Sequence, residues 1–384
     1  MKWDKIERWS PIALFAAVLC IVTAASLLWP ERGFSETENR FLNRKPQFSW
    51  SSLLEGTYGV DYDAYLSDQF PLRDQWVAFK TAADRLTLSQ DSNGVYFAKG
   101  GYLVEKFDSV DIDAVLLGKN QERLTAFVDK YEKMLGDGHV KVMLAPSASQ
   151  ILTDRLPAFA APYDQKQIYG PLMEMLGTET VLDLETILAE HKEEYIFYRT
   201  DHHWTTDGAY LAYRLWAKSM GQEPWEAESF LRERLTDDFH GTVQAKIGGG
   251  SQADEMYRWI PKEKISYQVR YDLGEERSES LYSLEALKTR DKYRVYLDGN
   301  HALTEIWADA AQGQGKRLLV VKDSFAHSFV PFAANHFEKT VMVDLRYYNG
   351  SLEKLLEEEG ITDVLFLYQA VNFAGDTQLG KLER

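Results

Sequence analysis

Cysteine is almost absent from this chain of 384 residues: the only one is Cys20, inside an apolar run near the N-terminus. The rest of the chain can therefore form neither a disulfide nor a cysteine-ligated zinc site. With 45% hydrophobic and 13% aromatic residues, the chain can bury a full core without disulfides. The composition predicts one large domain, or one domain with a small appendage.

Basic residues are also in deficit, with 43 Lys and Arg against 59 Asp and Glu and a formal net charge of -16. A surface of that sign repels phosphate backbones, and no basic stripe interrupts it. A nucleic-acid partner is therefore not expected. The sequence also has no internal repeat at solenoid periods and no low-complexity tract, which excludes repeat architectures.

Histidine is scarce, with eight in the whole chain, and the sequence has no HExxH or comparable metal-binding spacing. Asp201, His202 and His203 are consecutive and could supply three ligands. A metal site would need further ligands, which the other histidines do not offer at a suitable spacing. The sequence therefore predicts neither a metal nor another cofactor.

The longest hydrophobic run, from Trp9 to Pro30, has no charged residue and follows three basic residues. At about 1.5 Å per residue, a helix of this length can cross a hydrocarbon core. We expect residues 1–30 to be an uncleaved signal anchor. A cleaved signal peptide is the alternative, although Thr23 and Ala25 make a poor cleavage site. The basic flank predicts a single-pass protein of the cell membrane with an extracytoplasmic body.

Beyond the apolar run, we expect a stalk and entry segment at 31–75 and a main domain at 76–384, with a polar, loop-rich insertion at about 221–290. Short apolar strands alternate with amphipathic helices, which favours an α/β fold with a mostly parallel sheet covered on both faces. The predicted strands are 140–145, 180–184, 317–322, 340–343 and 363–368, and the predicted helices are 113–135, 169–176, 206–220, 328–336 and 351–359.

The strongest local signal for chemistry is Asp201-His202-His203-Trp204. In extended backbone, Asp201 and His203 point to the same side, so a carboxylate can hydrogen-bond an imidazole. Such a pair fixes the imidazole tautomer and stabilises the imidazolium that forms when the other ring nitrogen accepts a proton. An isolated Asp-His pair can equally be a surface or capping cluster, so it needs a nucleophile to become a catalytic site.

The nucleophile must be a hydroxyl, because the body of the chain has no thiol. Ser324 follows the apolar strand 317–322 and precedes a predicted helix, which places its oxygen at the sheet edge where α/β proteins carry their chemistry. Its own amide could donate to a developing oxyanion. The alternative for Ser324 is a helix N-cap, and Ser147 and Ser149, after strand 140–145, compete with it on position.

Gly299 and Asn300 form a turn with Asp298, just before the Ser324 strand. A glycine amide that allows close approach and an Asn side-chain amide are the usual donors of an oxyanion hole. An ordinary turn is the alternative. Gly299 and Asn300 are therefore candidate oxyanion or substrate-binding residues.

Together with the block at 201–204, five further blocks resemble the DHHW protein family, which is similar to the alginate O-acetylation proteins of the SGNH-hydrolase-like superfamily. These blocks are 35–40 (SETENR), 68–73 (DQFPLR), 298–300 (DGN), 322–325 (KDSF) and 344–348 (DLRYY). They follow the family's order and span nearly all of the chain beyond the apolar run. The resemblance is therefore far more specific than any one block.

The resemblance implies that residues 76–384 form a three-layer α/β/α SGNH-hydrolase-like catalytic domain. In this family the Asp-x-His element precedes the serine, which is a permuted order. Carried over to this sequence, Ser324, His203 and Asp201 take the roles of a catalytic triad. The resemblance also implies that Arg346 and Tyr347 lie near that site.

The resemblance further implies acetyl transfer to an extracellular or cell-wall polysaccharide, with a membrane-bound O-acyltransferase supplying the acetyl group across the membrane. Because the sequence has no obvious carbohydrate-binding module, we expect polymer recognition in the domain's own groove, through Trp204, Tyr347 and Tyr348. Gly241 is another possible oxyanion donor. Two alternatives stay open: an acetyl-esterase that uses the same triad, and a non-catalytic scaffold that partners the acyltransferase.

Overall fold

The computed structural model describes residues 2–35, 40–275, 277–310 and 315–383, with the side chains of 2–8 and 40 excepted. Of the block predicted at 35–40, residues 36–39 lie outside the described residues. The chain forms two compact units: Met1–Ser89 with Ala245–Gly250, and Gln90–Gln244 with Ser251–Arg384. Every candidate site residue belongs to the second unit.

The first unit is mainly helical. Its elements are α1 (Lys2–Leu28), β1 (Phe34–Ser35), β2 (Arg40–Phe41), α2 (Trp50–Leu54), α3 (Thr57–Asp68) and α4 (Arg73–Leu86). Within α1, Trp9–Leu28 is long and apolar enough to cross a membrane, which fits a single-pass anchor or a signal sequence. The segment 31–75 is less irregular than predicted, because it contains α2 and α3.

The second unit is a mixed α/β structure. Its strands are β3 (Asp91–Ser92), β4 (Val95–Phe97), β5 (Leu103–Glu105), β6 (Val140–Ala145), β7 (Phe230–Phe239), β8 (Asp254–Pro261), β9 (Tyr267–Tyr271), β10 (Arg277–Ser278), β11 (Leu303–Ala308), β12 (Arg317–Lys322), β13 (Lys339–Val343) and β14 (Asp363–Gln369). Its helices are α5 (Ala114–Leu135), α6 (Ala148–Ile151), α7 (Lys166–Leu176), α8 (Leu184–Glu190), α9 (Thr206–Ser219), α10 (Thr242–Ile247, which begins in this unit), α11 (Ala326–Ala333), α12 (Leu352–Glu359) and α13 (Ala370–Gly375).

Seven strands form the central sheet in the order β10-β9-β11-β13-β12-β14-β6. Four adjacent strands, β13, β12, β14 and β6, are parallel, while β11, β9 and β10 pair antiparallel at one side. Four of the predicted strands are confirmed and pair in parallel. The prediction of a mostly parallel sheet holds only in part, because three of the six pairings in this sheet are antiparallel. Because β6 and β12 are parallel, the segments that follow them, with Ser147 and Ser324, leave the sheet at the same edge.

Alternate residues of β12 belong to two different cores. Leu318 and Val320 pack with residues of α9 and α11, whereas Leu319 and Val321 pack with residues of α5, α7 and α12. Helices therefore cover both faces of the sheet. This burial on both faces explains why its parallel strands have continuous apolar sequences.

The strand predicted at 180–184 is wrong. Only Val181 bridges to the edge strand, at Val142. The Asp183 carboxylate then accepts a hydrogen bond from the Thr186 amide at 3.0 Å and caps α8, so the chain enters a helix instead of continuing as a strand.

The region 221–290 contains more regular structure than the loop-rich segment that was predicted. In it, β7 and β8 form a long antiparallel hairpin, and β9 joins the central sheet. Cross-strand ion pairs, such as Arg258 with Glu233 at 2.6 Å, lie on the hairpin. Its strands therefore have a polar sequence that is typical of loops.

Candidate active site

Asp201 and His203 lie in a compact loop before α9. The loop ends at Thr205, whose hydroxyl caps α9 by accepting from the Gly208 amide at 3.3 Å. Residues 199–203 form a series of bends, so the prediction of extended backbone is wrong here. Asp201 and His203 nevertheless meet, because Asp201 Oδ1 accepts from the amide and from Nδ1 of His203, at 3.0 and 2.5 Å.

Ser324 lies in the turn between β12 and α11. The Asp323 carboxylate shapes this turn by accepting from the Phe325 amide and, through its other oxygen, from the Gln369 amide, at 2.9 Å each. The His327 amide donates to the Ser324 carbonyl at 3.2 Å. Ser324 is partly exposed between buried neighbours, so its side chain is accessible at the carboxyl edge of the sheet.

The structure brings Ser324 and His203 together, although 121 positions separate them in the chain. His203 Nε2 lies 2.7 Å from Ser324 Oγ, while Nδ1 of the same ring lies 2.5 Å from Asp201 Oδ1. Both distances are those of hydrogen bonds. With Asp201 ionised, Nδ1 carries the hydrogen, and Nε2 is free to accept the proton of the Ser324 hydroxyl.

Two aromatic rings hold the His203 imidazole in place. The Tyr293 ring stacks on it with 3.8 Å between the ring centroids and 8° between the planes, and the Phe325 centroid lies 5.0 Å away. The Tyr293 hydroxyl is in turn 3.2 Å from Ser328 Oγ. Sequence analysis missed Tyr293, because it is far from His203 in the chain and belongs to no recognisable motif.

Burial opposes the ionisation of Asp201, but the charges of His203 and His202 outweigh it and hold the pKa of its carboxyl well below the ordinary value. Burial is also the largest effect on His203: it lowers the pKa of the imidazole, His202 lowers it further, and Asp201 offsets part of the shift. At neutral pH the pair is therefore a carboxylate beside a neutral imidazole, as a general base requires.

The second oxygen of Asp201 is held from the start of α10, where the amide and hydroxyl of Thr242 donate to Oδ2 at 2.9 and 3.1 Å. Gly241 lies so close that a Cβ there would stand 2.2 Å from Asp201 Cβ and 2.5 Å from Oδ2. The Gly241 amide donates to Thr200 Oγ1 at 3.0 Å. Gly241 therefore allows close packing against Asp201 and is not a free oxyanion donor.

A second carboxylate, Asp254 at the start of β8, fixes the backbone that precedes Asp201. It accepts from the amides of Arg199 and Thr200 at 2.9 and 2.8 Å. It also accepts from the Thr200 hydroxyl at 2.6 Å and from the Tyr195 hydroxyl. Sequence analysis missed Asp254, because it lies in the region that was interpreted as a loop-rich insertion.

The Gly299 amide is engaged in its own turn. Gly299 has a φ of +82°, and its amide donates to the Tyr296 carbonyl at 3.2 Å, so it is not free for an oxyanion. Asn300 differs, because its Oδ1 accepts from Arg346 Nη2 at 3.0 Å and its Nδ2 has no partner within the described part of the chain. The Ser324 amide likewise lacks an acceptor among the described residues.

Arg346 and Tyr347 follow β13 at the carboxyl edge of the sheet. The Asp344 carboxylate accepts hydrogen bonds from Nε and Nη2 of Arg346, at 2.8 and 2.6 Å. Tyr347 is 51% exposed, and the guanidinium lies 5.5 Å from the centre of its ring. Lys322, two positions before Ser324, donates to the same carboxylate at 3.0 Å. Arg346 is thus connected to the Ser324 turn through hydrogen bonds.

The three aromatic residues predicted to contact a polymer are placed differently. Trp204 is fully buried, and its Nε1 donates to the Phe325 carbonyl and to Ser328 Oγ at 3.1 Å each. The prediction for Trp204 is therefore wrong, because its side chain joins the His203 loop to the Ser324 turn. Tyr348 packs partly into the core, which leaves Tyr347 as the exposed ring of the three.

Ser147 and Ser149 have no imidazole beside them among the described residues. Their hydroxyls lie 2.8 Å apart, and Gln165 Nε2 donates to Ser147 Oγ at 2.6 Å. Both serines are buried. Their position after β6 resembles that of Ser324, but their partners are neutral.

Asp201, His202 and His203 form the one group of three potential metal ligands in the described ranges, with ligand atoms within 4.8 Å of one another. These atoms already have partners, since His203 Nδ1 bonds Asp201 and His202 Nδ1 lies 2.7 Å from Thr242 Oγ1. Both ring nitrogens of His203 are bonded, to Asp201 and to Ser324, so a metal ion at His203 would have to displace one of these contacts. The donor set therefore fits an acid–base site better than a metal site.

Fold and site together define a mixed α/β protein in which a carboxylate, an imidazole and a serine hydroxyl form a hydrogen-bonded series at the carboxyl edge of the sheet. The chain belongs to the DHHW protein family, whose model matches residues 122–343. The family match includes the blocks at 201–204, 298–300 and 322–325 that were quoted from the sequence.

Two solved structures share this fold, and a third is more distantly similar. A DHHW family protein from Eubacterium siraeum has a TM-score of 0.62 and 21% identity, over 77% of this chain and 96% of that one. PatB1 of Bacillus cereus, solved with a sulfonyl adduct, has a TM-score of 0.59 and 20% identity, over 74% of this chain and 98% of that one. The O-acetyltransferase domain of Pseudomonas putida AlgJ has a TM-score of 0.45 and 13% identity, over 76% of this chain and 98% of that one. No curated protein sequence matches this chain.

Proposed function

We propose that this protein is an extracytoplasmic serine O-acyltransferase whose second unit is a three-layer α/β/α domain of the SGNH-hydrolase-like type. Ser324 is the nucleophile, His203 the general base, and Asp201 orients the imidazole and stabilises its charge. One observation carries the proposal: His203 Nε2 is 2.7 Å from Ser324 Oγ, while its Nδ1 is 2.5 Å from Asp201 Oδ1.

The reaction has two halves. In the first, His203 Nε2 takes the Ser324 proton as Oγ bonds the carbonyl carbon of an acetyl donor. The bond to the donor's leaving atom then breaks, and that atom takes the proton from His203. In the second half, a sugar hydroxyl loses its proton to His203 and bonds the acetyl carbon. Ser324 Oγ leaves and recovers the proton.

The negative charge on the carbonyl oxygen of each tetrahedral intermediate needs hydrogen-bond donors. The Ser324 amide and Asn300 Nδ2 are the assigned donors, because neither has a partner among the residues described. The Gly299 and Gly241 amides are not assigned this role, because each is bonded elsewhere.

The family resemblance suggests that the acyl group is acetyl and that the acceptor is a hydroxyl of an extracellular or cell-wall polysaccharide. It also suggests that the reaction takes place on the outer side of the cell membrane. Trp9–Leu28 serves as the membrane anchor. A membrane-bound O-acyltransferase supplies acetyl across the membrane. Arg346 and Tyr347, exposed at the carboxyl edge, contact the donor or the acceptor.

Full-length protein in detergent, supplied with 4-nitrophenyl [14C]acetate, tests the proposal. We expect label on an added cell-wall glycan and loss of that label in Ser324→Ala. Acetate release at the same rate with and without glycan would identify an esterase instead. Folded wild-type protein that neither labels glycan nor releases acetate would favour a scaffold and contradict the proposal.

A further inference from the structure

Lys322 is the last residue of β12. Its side chain is 1% exposed, and its ammonium donates to Asp344 Oδ2 at 3.0 Å and to His327 Nε2 at 2.8 Å. Burial, followed by the charge of Lys322, lowers the pKa of the His327 imidazole well below its ordinary value, so the ring is a neutral acceptor. Lys322 therefore bonds both the first turn of α11 and the residue that follows β13.

Asp344 continues this network toward the exposed rim of the site. Its carboxylate is 0% exposed and also accepts hydrogen bonds from Nε and Nη2 of Arg346, at 2.8 and 2.6 Å. Arg346 Nη2 in turn donates to Asn300 Oδ1 at 3.0 Å. Hydrogen bonds thus run without a break from Lys322, beside the Ser324 turn, to a guanidinium that faces solvent.

We propose that Lys322 is a positioning residue for acyl transfer: acting through Asp344, it fixes the Arg346 guanidinium relative to the Ser324 nucleophile. This inference rests on the proposed function and deepens it, because it assigns a role to a buried charge that the two half-reactions do not use.

Stability alone does not account for the buried ammonium. Replacing a buried ion pair by apolar residues of similar volume is often neutral or stabilising, because desolvation offsets the attraction. Asp344 already has Arg346 as a charged partner, so a methionine at 322 would leave no carboxylate unpaired. The hydrogen bond from Lys322 holds the Asp344 carboxylate from the side of β12. Without it, the Asp344–Arg346 pair can turn away from Ser324.

The chain offers a matched control at the opposite, amino end of β13. Lys339 is also buried and donates to Glu305 Oε1 at 2.8 Å and to Glu359 Oε2. Glu305 keeps Arg270 as a second partner at 2.5 Å. Lys339→Met therefore removes the same kind of interaction without touching the edge that carries Ser324.

The first test needs no enzymatic activity. Phenylglyoxal modification of full-length protein is followed at Arg346 and Arg232 by peptide mass spectrometry, since their side chains are 39% and 37% exposed and each pairs with a carboxylate. In Lys322→Met we expect Arg346 to react about threefold faster or more. Arg232 should be unchanged, and Lys339→Met should match wild type. Unchanged Arg346 reactivity in folded Lys322→Met overturns the proposal.

The second test is a double-mutant cycle on kcat/KM for 4-nitrophenyl acetate. Lys322→Met should lower kcat/KM about tenfold in the wild-type background and less than about twofold in the Arg346→Ala background. Equal losses in both backgrounds would show that Lys322 does not act through Arg346, and would contradict the proposal.

If Lys322→Met does not fold, Lys322→Gln, which is neutral and shorter, takes its place in both tests with the same expectations. Failure of the proposed function is distinguishable from failure of this inference. A wild-type protein without acyl transfer would contradict the proposed function, while phenylglyoxal reactivity would still decide whether Lys322 positions Arg346.

Discussion

Two serine segments leave the same edge of the sheet, and they differ in what surrounds the hydroxyl. Ser324 follows β12, is partly exposed and lies 2.7 Å from an imidazole nitrogen. Ser147 follows β6, is buried and bonds Ser149 and Gln165, which are both neutral. Because both serines follow a parallel strand, that position alone does not distinguish them. We expect the accessible hydroxyl beside a base to be the nucleophile.

The largest expected effect comes from removing each hydroxyl in turn. Ser324→Ala should reduce acetyl transfer at least about a thousandfold, because no other hydroxyl can replace the attacking oxygen. Ser147→Ala should leave kcat within about twofold and lower the free energy of unfolding by about 1 kcal/mol, through a lost buried hydrogen bond. Steady-state kinetics and urea unfolding of both variants check this. Equal losses of activity would remove the distinction between the two sites.

The next effect comes from the group that orients the base. Asp201→Asn should lower kcat about a thousandfold or more, because an amide cannot stabilise the imidazolium and favours the wrong imidazole tautomer. Gln165→Leu, at the corresponding place beside Ser147, should leave kcat within about twofold. The comparison is made on the same acetyl ester at pH 7.5. A modest loss in Asp201→Asn would mean that His203 works without its carboxylate.

A smaller effect is expected from crowding the carboxylate. Gly241→Ala puts a methyl group where Asp201 Cβ already lies 2.2 Å away, so the carboxylate must shift, and we expect kcat to fall about a hundredfold. Gly118→Ala, in α5 with nothing within 4 Å of the added carbon, is the control and should not change kcat. Full activity in Gly241→Ala would show that the position of Asp201 is not critical.

Ser324 has an imidazole beside it and Ser147 has none among the described residues, so the pH dependence of the rate should follow the titration of His203. Because burial and then His202 lower the pKa of His203, the imidazole stays neutral to below pH 6.5, and kcat/KM should fall about tenfold per pH unit only beneath its lowered pKa. His202→Gln removes a charge that lowers this pKa, so the acid limb should move to higher pH. A limb that stays in place or moves to lower pH contradicts this account of the base.

The smallest effect concerns a buried imidazole that faces no serine. Burial lowers the pKa of His336 to about 4, and the Tyr213 hydroxyl lies 2.8 Å from its Nε2. Between pH 7 and 5 the unfolded chain gains a proton that folded His336 does not, so stability falls as pH falls. His336 should account for about 2 kcal/mol of this loss. Urea unfolding of His336→Gln should show a correspondingly weaker dependence, and an identical dependence would contradict it.

Much of the site was predictable, because its chemistry-bearing residues obey local rules. Ser324 follows an apolar strand, and Asp201 and His203 are two positions apart, but Ser147 and Ser149 follow a strand in the same way, so the family resemblance was needed to pair Ser324 with His203. The prediction of extended backbone was wrong, because residues 199–203 form bends and Asp201 accepts from the His203 amide as well as from its ring. The short separation forced the contact even without extended backbone.

What the sequence could not predict depends on long-range contacts between residues with no motif. Tyr293 stacks on His203 from a distant part of the chain that carries no motif, and Asp254 binds the Thr200 amide from a polar strand that resembles a loop. Gly299 was predicted as a possible donor because glycine allows close approach, and Gly241 was named beside the family resemblance as another possible donor. Their amides are bonded within the fold, and only coordinates can reveal that.

The most direct test of the central claim is covalent labelling of folded, full-length protein with a serine-directed sulfonyl fluoride, followed by peptide mass spectrometry. The account predicts an adduct on Ser324 and none on Ser147 or Ser149. It also predicts loss of that adduct in His203→Ala, because the hydroxyl then has no base. Wild-type protein that stays unlabelled at Ser324, or that is labelled at Ser147 or Ser149 instead, would contradict the claim.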